Sequence, residues 1–382
     1  MNVAIACGGT GGHLFPGLAV AEALRARGHR TLVFISEKEI DSLATRNQTG
    51  SQDFRLEKLR SIGMPRLFSL AAFGFVRGMM ASILDCRQIY RSFHPDAVLG
   101  MGGFTSTAPM LAGRMRGVPI FVHESNAIPG KANRLNAWIA QMVLLGFAKC
   151  ARHFPRSTRC VTTGTPIRSS LLQAITRAEA LQSFGFDPTL SQARTLLVMG
   201  GSQGAQGINH ILKSVIPSWK GLPIRVIHIT GMNNEAAVRT TYKENGIAAH
   251  VAAFCHEMQV AYAAADLAVA RSGAASLCEL SAWGVPAILI PYPFAAEDHQ
   301  TRNAELFATQ GAALLVKENA AASEVINRHV RELLFEDKEK LYQMATAMSG
   351  LARRDAAERV ASIIETTHSS VRNTGEVAAS LS

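Results

Sequence analysis

The chain has 382 residues, 48% of them hydrophobic and 18% charged, which is too long for one core and fits two well-buried globular domains. Residues 1–165 hold 20 Lys and Arg against 9 Asp and Glu, so the formal net charge of +10 belongs to this part and points it toward a polyanion: nucleic acid, an anionic membrane or a phosphorylated substrate. The six cysteines show no C-x-x-C pair and no zinc spacing, and no apolar run is long enough to span a bilayer, so a disulfide scaffold, a zinc module and a spanning helix are excluded.

The opening MNVAIACGG reads as a buried strand running into a glycine loop, without the basic and apolar regions of a signal peptide. GGTGGH (Gly8 to His13) follows, and Pro16 is expected to open a helix to about Arg27, with Gly28 just past its end. A second strand is expected over 31–35, whereas residues 40–60 are polar and patternless. Residues 61–93 interleave Phe68, Phe73, Phe75, Val76, Met79, Met80, Ile83 and Leu84 with Arg66, Arg77, Arg87 and Arg91. That pattern suits a helix lying in an anionic membrane interface, with Phe68, Phe73, Phe75, Met79, Arg66 and Arg77 facing the lipid. An ordinary core helix with solvated arginines is the alternative, and both can hold on different faces. Nucleic acid is not expected, because aromatic and basic residues do not alternate on a strand face.

Strands are expected over 96–101 and 118–122, the first ending in Gly102-Gly103-Phe104 and the second in His123-Glu124-Ser125-Asn126. A helix over 131–140 and short strands near Val143 and Val161 complete the half, and Gly164-Thr165-Pro166-Ile167-Arg168 marks the crossing to the next. There a strand over 195–199 enters GGSQGA (Gly200 to Ala205) and a helix; strands over 225–229 and 250–253 follow. Residues 266–300 read strand (267–270), break (Arg271-Ser272-Gly273), helix (274–283), stop (Gly284-Val285-Pro286), then strand from Ala287. A strand over 312–316, helices over 322–367 and a loose polar tail from about Ser369 end the chain.

The two halves repeat strand, glycine loop and helix. The expected fold is α/β: two doubly wound Rossmann-like domains facing a cleft, with ligands at the carboxyl ends of the strands. The boundaries read 1–164, 165–368 and a tail over 369–382.

The break after residue 270 leaves the backbone N–H groups of Ser272 to Ser276 at a helix N-terminus, where they can hold a phosphate; plain helix capping is the alternative. Glu279 lies about one turn further and can reach the attached sugar. A dinucleotide motif fails because Leu14 stands where a glycine is needed, and the only Gly-Lys pair, Gly130-Lys131, is followed by Ala132 instead of the Ser or Thr of a P-loop. No Asp-x-Asp occurs, so neither a bridging metal nor any cofactor is expected. Diphosphate binding by backbone N–H groups and helix dipoles remains.

The ordered set GGTGGHLFPGLAVAEAL, MGGF, HESNAIPGKANR, GTPIR, GGSQGAQGIN, RSGAASLCEL and HQTRNA, spread over residues 2–365, resembles glycosyltransferase family 28. These are bacterial GT-B enzymes, metal-independent and inverting, that add N-acetylglucosamine from UDP-GlcNAc to lipid I in peptidoglycan synthesis. The resemblance implies that the second half holds UDP-GlcNAc. Ser202 and the turn Ala274-Ala275-Ser276 would bind phosphate, and Glu279 the ribose. Backbone atoms at Cys255 would read the uracil, Gln300 would contact the sugar, and Arg168 would lie near the donor. Thr10, Gly11, Gly12 and Asn126 would complete the donor site. Lipid I as acceptor, the cytoplasmic face of the cell membrane as location, and other cell-wall synthesis proteins as partners follow from the same resemblance. Ser125, Thr165, Phe104, Ala275 and Cys278 replace the family's commoner Gln, Asn, Tyr, Leu and Ser; the change at Phe104 removes a hydroxyl from the acceptor side.

Attack by the acceptor C4 hydroxyl on C1 of the sugar needs a base and a stabilised leaving group. His13, at the end of a glycine loop, is the first candidate base, with loop orientation or phosphate bonding as the alternative. Glu124 is the competing base, and a structural ion pair with an arginine is its alternative. His123 reads as a packed strand-end residue. Arg271 and Arg168 could offset diphosphate charge, or simply be solvated. Rival functions are another UDP-sugar-dependent GT-B enzyme, such as a glycolipid glycosyltransferase or a UDP-GlcNAc epimerase, and a non-catalytic sugar-nucleotide-binding subunit.

Overall fold

Short aliphatic runs alternate with helical patterns, and in the computed structural model, which describes residues 1–8, 11–36, 54–59, 70–200 and 206–380, they build two compact units. One takes Met1–Arg168 and Arg354–Ser382; the other takes Ser169–Arg353.

The first unit contains β1 (Asn2–Ala6), α1 (Gly11–Ala26), β2 (Arg30–Ser36), β3 (Arg55–Leu59), α2 (Leu70–Phe93), β4 (Ala97–Gly100), α3 (Thr107–Arg114), β5 (Ile120–Glu124), α4 (Lys131–Asn136), β6 (Met142–Leu145) and β7 (Cys160–Thr162). Its seven strands run parallel in the order β3-β2-β1-β4-β5-β6-β7. Alternation along β1 serves both faces of the sheet: Val3 and Ile5 enter one apolar cluster with Leu18 and Leu99, and Ala4 and Ala6 enter another with Tyr90 and Val98. Burial on both faces is why the strands read as unbroken hydrophobic runs.

The second unit contains α5 (Arg177–Ser183), β8 (Arg194–Met199), α6 (Gln206–Val215), β9 (Ile224–Ile229), α7 (Glu235–Glu244), β10 (Ala248–Ala252), α8 (Met258–Ala264), β11 (Leu267–Ala270), α9 (Ala274–Trp283), β12 (Ala287–Leu289), α10 (His299–Thr309), β13 (Ala313–Leu315), α11 (Ala322–Arg331) and α12 (Lys338–Gly350). Six parallel strands run β10-β9-β8-β11-β12-β13. Each sheet reverses its strand order once, next to β1 and β4 in one and β8 and β11 in the other. Ligands of open α/β sheets bind at that position.

Four expectations need correction. The first helix begins at Gly11 and carries Pro16 inside it, where the ring is buried and the missing N–H removes one helix bond. β3 was not expected, because its RLEKL sequence belongs to a polar strand at the sheet edge that, among the described residues, pairs with β2 alone. Residues 165–168 and 354–368 belong to the first unit, not the second. The reason is α13 (Ala356–Ser380), which buries Val360, Ala361 and Ile364 in the same cluster as α1. Burial of Val360 and Ile364 contributes roughly 1.5–3 kcal/mol each. Arg27 reinforces it with 2.6 Å contacts to Glu358 and Glu365, and His29 reaches Glu365 at 2.5 Å. The same helix continues to Ser380, past the point where a loose tail was expected.

Candidate functional site

In the first unit, the loop after β1 meets the loop after β4. Gly102 has φ +123, and a Cβ there would fall 2.6 Å from Cε1 of His13, so only glycine lets the imidazole lie against this backbone. His13 and Phe15 project from the first turns of α1, and the Arg168 guanidinium stacks 4.5 Å above the Phe15 ring. The structure thus brings His13 and Arg168 to the same end of α1. Gly11 and Gly12 form the start of that helix. Thr10 lies outside the described residues.

β5 runs two residues further than expected and takes His123 and Glu124 into the sheet. His123 is fully buried. Its Nε2 donates to the carbonyl of Gly164 at 3.0 Å, and its Nδ1 accepts from the Ser125 hydroxyl at 3.3 Å. Burial pushes its pKa below the usual imidazole range, against the raising influences of the Gly164 bond and Glu124, and His13 lowers it further. This is a neutral, packed strand-end histidine, as its position predicted.

Glu124 is 1% exposed. One carboxylate oxygen accepts from Asn126 N (2.9 Å) and Asn126 Nδ2 (3.1 Å); the other accepts from Gly130 N (3.0 Å) and Asn133 Nδ2 (2.9 Å). Four neutral donors fill its lone pairs, in place of the expected arginine partner. Such a carboxylate has no open site for a substrate proton, so its geometry argues against the base role. It folds the loop that presents Asn126.

The expected lipid-facing set divides in the structure. Arg66 and Phe68 lie outside the described residues, and the helix α2 carries Phe73. Phe75 is half-buried and meets Phe104 edge-on at 6.0 Å, and Met79 packs on the core with Cys86, Tyr90 and Phe93. Phe75 and Met79 are therefore not the exposed face. That face carries Val76 (57% exposed), Met80 (57%) and Leu84 (59%), spaced four residues apart, with Arg77, Arg87 and Arg91 exposed on the same helix. Met115, Leu135 and Trp138 (79%) are exposed at the ends of α3 and α4.

In the second unit the strand–turn–helix after β11 falls where the sequence placed it. α9 opens at Gly273 without a side-chain cap, and its first backbone bond runs from Leu277 N to Gly273 O. The N–H groups of Ala274, Ala275 and Ser276 precede that bond, at the positive end of the helix dipole. Ser272 is turned away, its hydroxyl donating to the carbonyl of Gln300, while Asn303 Nδ2 holds the Ser272 carbonyl. Glu279, one turn along α9, accepts a 2.6 Å hydrogen bond from the hydroxyl of Tyr262 on α8. Gln300 accepts from Tyr292 N at 2.9 Å, which leaves its amide NH2 as the donor end. It follows two left-handed residues, Glu297 and Asp298. Cys255 lies in the loop after β10, and burial pushes its thiol pKa up, so it is neutral at ordinary pH. Ser202 lies outside the described residues.

Arg271 needs correction as a diphosphate ligand. It is 5% exposed; Nη1 donates to the carbonyls of Ile290 and Pro291 and to Glu318 at 2.6 Å, and the guanidinium faces Tyr292. Glu318 in turn presses on Gly207 in the first turn of α6. The pair ties the ends of three strands to that helix, so its charge is already matched. Tyr262, Glu318 and Asn133 were missed by sequence reasoning, since their partners are remote and no motif spacing marks them.

Two parallel sheets with glycine turns at both reversal points, and an uncapped helix with an acid one turn in, define a GT-B transferase framework. MurG of Acinetobacter baumannii superposes with a TM-score of 0.74 at 26% identity, covering 96% of this chain and 99% of that one. A UDP-GlcNAc 2-epimerase from Neisseria meningitidis shares the fold alone, with a TM-score of 0.66 at 14% identity over 96% of this chain and 100% of its own. The glycosyltransferase family 28 N-terminal domain matches residues 3–145 and the C-terminal domain residues 195–360. UDP-N-acetylglucosamine–N-acetylmuramyl-(pentapeptide) pyrophosphoryl-undecaprenol N-acetylglucosamine transferases of Geobacter metallireducens and Geobacter sulfurreducens are 37% and 38% identical, each over 94% of this chain and 96% and 97% of their own. The chain belongs to glycosyltransferase family 28.

Proposed function

We propose that the chain transfers N-acetylglucosamine from UDP-GlcNAc to the C4 hydroxyl of the N-acetylmuramate of lipid I, giving lipid II. The observation that carries this reading is identity of 37–38% along 94% of the chain to relatives named for that donor and acceptor. The second unit holds the nucleotide: α9's first N–H groups take the diphosphate, Glu279 the ribose hydroxyls, Gln300 the sugar. Ser202 and the backbone at Cys255 complete this half. On the first unit, His13 accepts the proton of the C4 hydroxyl as its oxygen attacks C1 from the face opposite the diphosphate. The β-1,4 bond forms, the C1–O bond to UDP breaks, and its electron pair leaves on the β-phosphate, where the helix dipole stabilises it without a metal.

Arg168 and Asn126 border the reacting groups, and Glu124 fixes the Asn126 loop. The Val76–Met80–Leu84 stripe and Trp138, with Arg77, Arg87 and Arg91, rest on the anionic cytoplasmic face of the cell membrane, where the lipid acceptor resides. No helix among the described residues is long and apolar enough to cross a membrane, and surface association is the mode this stripe supports. Lipid I-dependent release of UDP by the purified chain tests the reaction; UDP release that is unaffected by lipid I would overturn it. Co-sedimentation with phosphatidylglycerol vesicles tests the surface, and binding indifferent to anionic lipid and salt would remove it.

A further inference from the structure

β10 is an edge strand: among the described residues it pairs with β9 alone. The loop after it carries Cys255, so the sheet restrains the exit toward that residue from one side only. A buried polar chain adds to this restraint. Its members are Asn209 on α6, His228 on β9 and Tyr242 on α7. Asn209 Nδ2 donates to the carbonyl of Thr230 at 2.8 Å, which turns Oδ1 toward His228. Nε2 of His228 therefore carries the proton and donates to Asn209 Oδ1 at 2.9 Å, while Nδ1 accepts from the Tyr242 hydroxyl at 3.1 Å. Burial pushes the imidazole pKa down to about 3, so the ring stays neutral. Each member fixes the orientation of the next, and a satisfied buried network of this kind is rigid.

Thr230 passes the restraint on. Its N–H donates to the carbonyl of Ala252 at 2.9 Å and Gly231 N to that of Ala253 at 3.1 Å, which carries the pairing past the end of β9. On α7, which Tyr242 anchors to the core, Glu235 accepts from Ala253 N at 3.1 Å. Arg239, bonded to Glu235 at 2.6 Å, donates to the carbonyl of Val251. The backbone over 251–253 is thus gripped from the core and from the exposed helix, just before Cys255.

We propose that His228 and Glu235 are positioning residues for nucleobase selection: by holding the exit of β10 they set the backbone at Cys255 where it distinguishes uracil from cytosine. The inference rests on the reading that this backbone meets the base. Uracil offers a donor at N3 and an acceptor at O4, and cytosine reverses both. A carbonyl and an N–H held in place accept the first and reject the second. A loop free to shift loses that discrimination while the diphosphate contacts stay.

The test is titration calorimetry on the full chain with UDP and with CDP, with melting temperature as the check on folding. His228→Gln places an amide N–H near the Nε2 position, whereas His228→Asn, a shorter amide, falls short of Asn209. Wild type is expected to prefer UDP by roughly 10-fold or more, His228→Gln to keep most of that preference, and His228→Asn to lower it to about 2-fold. Glu235→Ala, on the exposed side, should lower it likewise, and Glu235→Gln should restore it, since its amide oxygen can still accept. A purely structural role weakens UDP and CDP together and leaves their ratio alone. A wild-type ratio in His228→Asn or in Glu235→Ala strikes that residue from the inference, and in both overturns it; should His228→Asn fail to fold, Glu235→Ala decides. Wild type without any preference would instead overturn the reading of Cys255 on which the inference stands.

Discussion

Glu124 and Glu279 are the two carboxylates that sequence reasoning placed at reacting ends of strands and helices, and the structure puts them in opposite states. Glu124 lies in the first unit, 1% exposed, with both oxygens filled by four N–H donors. Glu279 lies in the second, partly exposed, and its Oε2 accepts from the hydroxyl of Tyr262. The first carboxylate is scaffold, its lone pairs spent on the loop it folds; the second sits one turn into α9, close to that helix's first N–H groups. The arginines divide likewise. Arg271 is buried against Glu318, whereas Arg168 stacks on Phe15 with a buried Nε–H that donates to no partner among the described residues.

If this division is right, the largest effect belongs to neither carboxylate. His13→Ala should lower kcat by about 10²–10⁴ while UDP-GlcNAc affinity measured by calorimetry stays within a few-fold. A wild-type kcat would remove His13 as base. Arg271→Ala should come next, and in stability: stranding Glu318 should cost about 2–4 kcal/mol, read as a fall in the denaturant midpoint. Loss of donor affinity with stability unchanged would return Arg271 to the diphosphate.

Glu124→Gln sharpens the contrast further. The new NH2 faces two donors that formerly met an oxygen, so a stability loss of about 1–3 kcal/mol is expected, with the pH profile of kcat/KM unmoved. Disappearance of the acid limb of that profile would make Glu124 the base after all. The smallest effect lies at α13. Burial opposes ionisation of Glu365, yet hydrogen bonds from His29 and Arg27 hold its pKa below the usual carboxylate range. Its contribution is therefore complete above the ordinary glutamate value and is lost as pH falls through the lowered folded one. Amide exchange in α13 should accelerate over that acidic window in wild type, and show less dependence on it in Arg27→Ala; identical profiles would deny the clasp.

Much of the fold was legible because buried parallel strands must be continuous and apolar, so β8, β11 and β12 announced themselves, and glycine turns marked the reversal points. β3 was hidden because a polar edge strand carries no such run. The C-terminal helix was assigned to the wrong unit because an amphipathic pattern shows that a face is buried, not which sheet buries it. At the site, local geometry could be read: the turn before α9 and the one-turn spacing to Glu279 depend on neighbours in sequence. Tyr262, Glu318 and Asn133 act through partners 17, 47 and 9 residues away, and nothing local marks them. On α2, the sequence showed aromatic and basic residues together. Only packing revealed that Phe75 and Met79 turn inward and Val76, Met80 and Leu84 outward.

The central claim is that amide hydrogens at a helix start hold the departing diphosphate during sugar transfer to a lipid-linked acceptor. Incubating the purified chain with radiolabelled UDP-GlcNAc and a lipid I analogue in excess EDTA tests it directly. The account predicts labelled lipid II at an undiminished rate; label left on the nucleotide until magnesium or manganese is restored would contradict it.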